Sequence, residues 1–435
     1  MSNNAVPETR PPGSPPVDIA ELAKNSNRDL VVDLARVFCV FAVVFMHSLM
    51  IGLHRQGDTI AQINPLQTQQ WFALATWAGQ IMPLFFVVGG FASFVSWRSA
   101  LRRGTTATGF LRGRLLRLLR PALPLLVFLT GALWLCVAFG VDPALVDLVA
   151  AGVGMPLWFL AAYIACQAFL PLVYRLHAQR PGLTFAALVA MAAVVDTARI
   201  QSGIAEIGLL NLVFVWLAVQ QLGFFYADGW FARRSTWQLL LGAAASYGLL
   251  AVATYMTGIY PVDMLTNLNP ATLPLILLGI AQVCLLRLLY PVLAAAMRLK
   301  PVIAATFFVG SRAMSIYLWH LPIIVALGGA LFLTGWLDST PGSGAWWSTR
   351  PLFVVAVWIV LAGVTAVVSR WERPPVGPAD APGRGGWRVP LATTLSFLVF
   401  VAEIEWGLSL WLVTVSAASV AVCLWLLSQP RSPRL

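Results

Sequence analysis

Charge is the scarcest commodity in this chain. Of its 435 residues only 10% are charged, against 59% hydrophobic, and the mean hydropathy is +0.80. Soluble globular domains carry about a quarter charged residues, so that class is excluded. Cysteine is scarce as well. The five present (Cys39, Cys136, Cys166, Cys284 and Cys423) stand singly in apolar stretches. They offer neither a disulfide framework nor metal-ligand spacing, and read as core residues. No repeat divides the chain into matched halves, and no polar stretch is long enough for a soluble domain. No cleavable signal peptide precedes the first apolar run, which would act as a signal anchor.

What the chain has in abundance is apolar runs of about twenty residues, each able to cross ~30 Å of hydrocarbon. They lie near 31–53, 77–97, 120–140, 155–175, 183–199, 208–228, 237–257, 272–292, 303–335 and 351–369. A further stretch, 388–428, is interrupted by Glu403-Ile-Glu405 and reads as a hairpin of two spans. The expected fold is therefore an all-α polytopic membrane bundle of ten to twelve helices, twelve being preferred. The expected organisation is a disordered cytoplasmic tail (1–27), a transmembrane domain (28–370), a cytoplasmic loop (371–387), the hairpin (388–428) and a tail (429–435). The first segment is polar, with Pro11, Pro12, Pro15 and Pro16.

Orientation follows from where the arginines fall. With the N-terminus in the cytoplasm, inner loops carry Arg98, Arg102, Arg103, Arg112, Arg114, Arg117, Arg175, Arg180, Arg233, Arg234, Arg298, Lys300, Arg370, Arg373, Arg384 and Arg388. Outer loops carry Asp142, Asp147, Glu206, Asp263 and Asp338, with Arg199 and Arg350 as their basic residues. The net charge of +11 is thus topological and is no argument for a nucleic-acid partner.

Ionisable groups at membrane depth are expensive and are read as functional by default. The first span holds a stripe of them. Eleven positions separate Arg36 from His47, within about 20° of three whole turns, so both project the same way. Asp33 lies within about 40° of that direction at ~100° per residue, and Asp29 close to it. In the ninth span, Ser311 and Ser315 are one turn apart and His320 lies deep in the apolar run. Counted from their cytoplasmic ends, His47 and His320 fall about eighteen and twenty residues in, which suggests one shared site in the outer half of the membrane.

Three other segments carry candidate chemistry. The second span contains Pro83-Leu-Phe85-Phe86-Val-Val-Gly89-Gly90; paired glycines admit either a close helix crossing or a ligand. The fourth opens with Trp158-Phe159, an aromatic pair that also suits an interface anchor. Between them Arg112, Arg114, Arg117 and Arg120 form a basic ridge ahead of Pro121. Such a ridge can hold the phosphates of a nucleotide donor, or serve only topology and lipid headgroups.

Taken in order, these elements resemble the integral-membrane acyltransferase-3 family, which O-acylates cell-surface polysaccharides, glycolipids and some macrolides. The family's basic residue, ten positions and histidine are matched by Arg36 and His47, and its preceding acidic element by Asp33-Leu-Ala-Arg36. Its Arg-x-x-Arg motif is matched best by Arg114 and Arg117, with Arg117/Arg120 as the second alignment. Phe85-Phe86, Trp158-Phe159 and Ser315-Ile-Tyr317-Leu-Trp-His320 also match. Where the family often has Ser-Gly after the Phe-Phe element, Gly89-Gly90 stands here, which removes any hydroxyl.

The resemblance implies transfer of a short acyl group, acetyl first, from cytoplasmic acyl-CoA to a hydroxyl of an envelope glycan or glycolipid, in a bacterial inner membrane. Acyl-CoA (acetyl-CoA) is a substrate; no permanently bound cofactor and no metal are expected. The partners implied are the glycan or glycolipid acceptor and membrane lipid. His47 is expected to be the general base, or to carry a transient acyl group, with Arg36 stabilising negative charge or binding donor and Asp33 holding Arg36. Arg114, Arg117 and Arg120 are the expected donor-binding residues, and His320, Ser315, Tyr317, Trp158, Phe86 and Gly89 further site candidates. A transporter or flippase of a glycolipid or acylated product is the competing reading, since twelve spans suit one; against it stand the absent repeat and the one-sided basic motifs. A polyprenyl-dependent glycosyltransferase would need an acidic residue near a large outer loop, and the outer loops are short.

Overall fold

The computed structural model describes residues 29–56, 59–335, 339–372 and 386–428. The expected tails 1–27 and 429–435, and positions 373–385 of the expected 371–387 loop, lie outside them. Along the chain run α1 (Leu30–Met50), an antiparallel ribbon of β1 (Gly52–Gln56) and β2 (Thr59–Ile63), α2 (Phe72–Gly79), α3 (Met82–Arg102), α4 (Ala107–Ala138), α5 (Pro143–Gly154), α6 (Trp158–Gln179), α7 (Pro181–Ser202) and α8 (Asn211–Ala227). There follow α9 (Thr236–Ala251), α10 (Pro274–Leu288), α11 (Tyr290–Ala296), α12 (Lys300–Gly310), α13 (Ala313–Leu333), α14 (Gly344–Val368), α15 (Arg388–Trp406) and α16 (Leu410–Ser428). Among the described residues eleven helices are long and apolar enough to cross a membrane. The pair α10–α11, bent by 58°, makes a twelfth if it counts as one span. The protein is a multi-pass membrane protein.

Local chemistry starts the helices where it should. Asp29 caps α1 by accepting from the backbone N–H groups of Val31 (3.0 Å) and Val32 (3.3 Å). Thr106 caps α4 through the Gly109 N–H, and Ser235 with Gln238 forms a capping box on α9. These side chains satisfy donors that the first helical turn leaves unpaired.

A close helix crossing joins α3 to α8. A Cβ on Gly90 would strike the backbone of Gln220, and one on Gly223 would strike Val87, Phe91 and Gly90. Small residues let two backbones meet where lipid supplies no hydrophobic drive between helices. Gly89, its neighbour, has nothing within 4 Å of where a Cβ would stand. The two glycines thus have separate fates: Gly90 packs, Gly89 faces open space. Gly90→Leu is expected to lower the melting temperature sharply in detergent, overpacking costing about 1–3 kcal/mol or more, whereas Gly89→Ala should melt like wild type.

Two boundaries differ from expectation. The run 303–335 is two helices, α12 and α13, broken at Ser311-Arg312. Hydropathy runs through that point, but Arg312 turns back over the Phe308 ring (4.1 Å) and donates to the Phe308 carbonyl (3.2 Å). The hairpin turn falls at Gly407 (φ 70°) and not at Glu403–Glu405. Glu403 stays helical because it is buried against α16, where the Ser416 hydroxyl donates to its carboxylate.

Candidate functional site

The site is built from α1 and α13, which pack against each other. His47 Nδ1 lies 2.8 Å from His320 Nε2, and the rings stack with centroids 5.0 Å apart. His320 is fully buried and His47 partly so. On its other side His320 Nδ1 lies 2.5 Å from the Tyr317 carbonyl. A carbonyl only accepts, so that nitrogen carries the hydrogen, and in a neutral ring Nε2 must then accept. His47 Nδ1 therefore donates to His320. This leaves the lone pair of His47 on Nε2, which makes no hydrogen bond among the described residues. A chain of two imidazoles thus presents one unoccupied basic nitrogen.

The Tyr317 hydroxyl donates to the Pro156 carbonyl (3.0 Å), and its ring lies 4.9 Å from Phe159. From there an aromatic wall runs through Phe86 and Trp158. Phe86 stacks on Trp216 at 4.2 Å, and Trp158 lies 5.4 Å from the same indole. Ser315 is buried one turn before Trp319. Trp216, on α8, carries no motif in the sequence; only its place opposite Phe86 reveals it.

Arg36 is a separate matter. It pairs with Asp33 at 2.6 Å, and it shares the face of His47. Eleven residues at 1.5 Å rise nevertheless place it about 16 Å along the helix from that histidine. Arg36 and His47 are therefore too far apart to touch the same reacting atoms. It stands beside Gly310, whose Cβ would lie 3.8 Å from the guanidinium, and its Nε is buried with no partner. Arg312 Nε, two residues on, is buried and unpartnered as well. At the same end, burial raises Asp29 above the ordinary carboxylate range, against the lowering by the N–H groups it caps.

Arg114 and Arg117 line a polar cavity of about 170 Å³ between the ends of α3 and α4, together with Arg103, Ser96 and Thr105. Arg114 is held over the Phe110 ring at 4.9 Å. Arg120, one turn further on, is outside that lining, so the first Arg-x-x-Arg alignment is the one with a cavity. Arg103 comes from the preceding helix and read in the sequence only as loop charge. Three guanidiniums around a small polar space suit phosphate oxygens.

Fold and site define a polytopic helical membrane protein with a histidine pair inside the bundle and an arginine cavity at one end. The chain belongs to the acyltransferase-3 family, whose model, an acyltransferase domain, matches residues 29–369. It is a membrane acyltransferase. No curated protein and no solved structure matches it.

Proposed function

We propose that the protein is an O-acyltransferase of a bacterial inner membrane, with its N-terminus and arginine cavity on the cytoplasmic side. It moves a short acyl group, acetyl first, from cytoplasmic acyl-CoA to a hydroxyl of an envelope glycan or glycolipid. The observation that carries this reading is the hydrogen-bonded pair His47–His320, which leaves His47 Nε2 as an available base.

In this mechanism the acceptor O–H gives its proton to His47 Nε2 as the oxygen attacks the thioester carbonyl. The C–S bond of the resulting tetrahedral species then breaks. The departing CoA thiolate takes the proton back from the imidazolium, leaving ester, free thiol and neutral histidine. His320 shares the transient positive charge through the Nδ1–H of His47. Arg103, Arg114 and Arg117 hold donor phosphates at the inner face, with Arg36 and Arg312 further along the path of the pantetheine arm. The 16 Å or so between Arg36 and His47 is a span an extended pantetheine can cover.

The test is transfer from labelled acetyl-CoA by purified protein in nanodiscs containing envelope glycolipid. Label is expected in the glycolipid fraction. Arg114→Ala should raise the KM for acetyl-CoA by about 10-fold or more, one charge-assisted hydrogen bond being worth ~1.5–3 kcal/mol, with a smaller change in kcat. Failure of the wild-type protein to bind or turn over any short acyl-CoA would overturn the proposal and favour the transporter.

A further inference from the structure

The family match ends at residue 369, yet α15 and α16 follow and are tied to the rest of the bundle at both ends. At the end nearer the arginine cavity, Arg112 Nε, on α4, donates to the Leu427 carbonyl at 2.7 Å. Toward the other end, the Trp134 indole N–H donates to the Thr414 hydroxyl at 3.1 Å. At the far end, the Leu410 N–H reaches the Asp147 carboxylate at 3.4 Å.

The turn of the hairpin makes the closest contact. Leu408 is 3% exposed and occupies the place where a side chain on Gly154 would begin. Its Cδ2 and Cγ lie 3.0 and 3.2 Å from that position, and its Cβ is closer still. Only glycine at 154 lets α5 end against this turn. Two residues later comes Pro156, whose carbonyl accepts from Tyr317. Tyr317 in turn gives its own carbonyl to His320, and His320 accepts from His47. The contact chain thus runs unbroken from Leu408 to the reactive ring: Leu408, Gly154, Pro156, Tyr317, His320, His47. α15 itself packs along α6 and against the turn of 155–157.

We infer that the α15–α16 hairpin is a brace for the active centre: the seat of Leu408 on Gly154 fixes the Pro156 carbonyl, and through Tyr317 and His320 it sets the aim of His47. Gly154, Leu408 and Tyr317 are positioning residues, acting on His47 through His320. The inference rests on the reading of His47 as the base. A pair of helices that merely adds bulk to the bundle would contribute stability and nothing specific to turnover. A brace makes turnover depend on one methylene.

The test adds one carbon at Gly154 and is read by steady-state acetyl transfer and by thermal melting in nanodiscs. Gly154→Ala is expected to lower kcat by about 10-fold or more, since misplacement of a catalytic group by about 1 Å can cost ~100-fold. The KM for acetyl-CoA should stay within about 2-fold, because the arginine cavity is untouched. Gly154→Ala combined with Leu408→Gly removes the side chain that the new carbon would strike and should restore part of kcat. Tyr317→Phe, which deletes one hydroxyl and keeps the ring, guards against a misfolded glycine variant and should also lower kcat alone. The brace is refuted if Gly154→Ala and Tyr317→Phe turn over like wild type. Loss of kcat, donor KM and melting temperature together, without rescue by Leu408→Gly, equally refutes it. Should His47→Ala keep full turnover, the base assignment fails and the brace with it; a dead His47→Ala beside fully active Gly154→Ala and Tyr317→Phe removes the brace alone.

Discussion

His47→Ala should lower acyl transfer by about 10²- to 10⁴-fold, the range that a positioned general base supplies, with donor KM and melting temperature near wild type. The variant removes the only ring nitrogen of the pair that has no hydrogen-bond partner. His320 is a poor substitute: its freed Nε2 lies behind the missing ring, about one imidazole short of where His47 Nε2 stood. The cost to folding should be modest. His47 sits only partly buried at the face between α1 and α13, and its one hydrogen bond is worth about 1 kcal/mol net. Retention of substantial transfer by purified His47→Ala, with acceptor product confirmed by mass, would sink the assignment.

The second large effect concerns His320. Its Nε2 is the acceptor that keeps the His47 hydrogen on Nδ1 and so keeps the lone pair on Nε2. In His320→Ala nothing selects that tautomer or holds the ring, and kcat is expected to fall by roughly 10- to 100-fold, as when the orienting partner of a functional histidine is lost. His320→Gln can offer an amide oxygen to the same N–H and should recover part of the loss. Equal kcat in the alanine and glutamine variants would mean that His320 merely fills space. Both variants should bind acetyl-CoA as wild type does, which separates an effect on aim from an effect on the donor.

Much of this architecture was legible before any coordinates, for physical reasons that can be named. The spans follow from runs of apolar residues, since lipid demands internal backbone hydrogen bonding and about twenty residues of length. The meeting of His47 and His320 is suggested by counting residues inward along the first and ninth runs, although the second count crosses the α12–α13 break. The helix break at Ser311-Arg312 was not legible, because hydropathy averages over the one arginine that stops the run. Nor could sequence say which of Gly89 and Gly90 packs. They differ by 100° of rotation, and only the place of α8 decides. Arg103 and Trp216 were missed for a related cause. Each joins its neighbours across a gap between helices, and local spacing says nothing about such gaps. The distance between Arg36 and His47 shows the reverse: helical phase puts them on one stripe, but the rise along the axis separates their tasks.

The aromatic wall beside the histidines has a consequence for the cell's supply of activated acyl groups. Phe86, Trp158 and Trp216 pack behind Phe159, which lies against Tyr317, and Tyr317 leans on His320. A thioester delivered next to such rings meets few water molecules. With the acyl-CoA donor proposed above, the wall would decide what happens while no acceptor is bound: the thioester would wait instead of being hydrolysed, and the enzyme would idle loaded without draining the acyl-CoA pool.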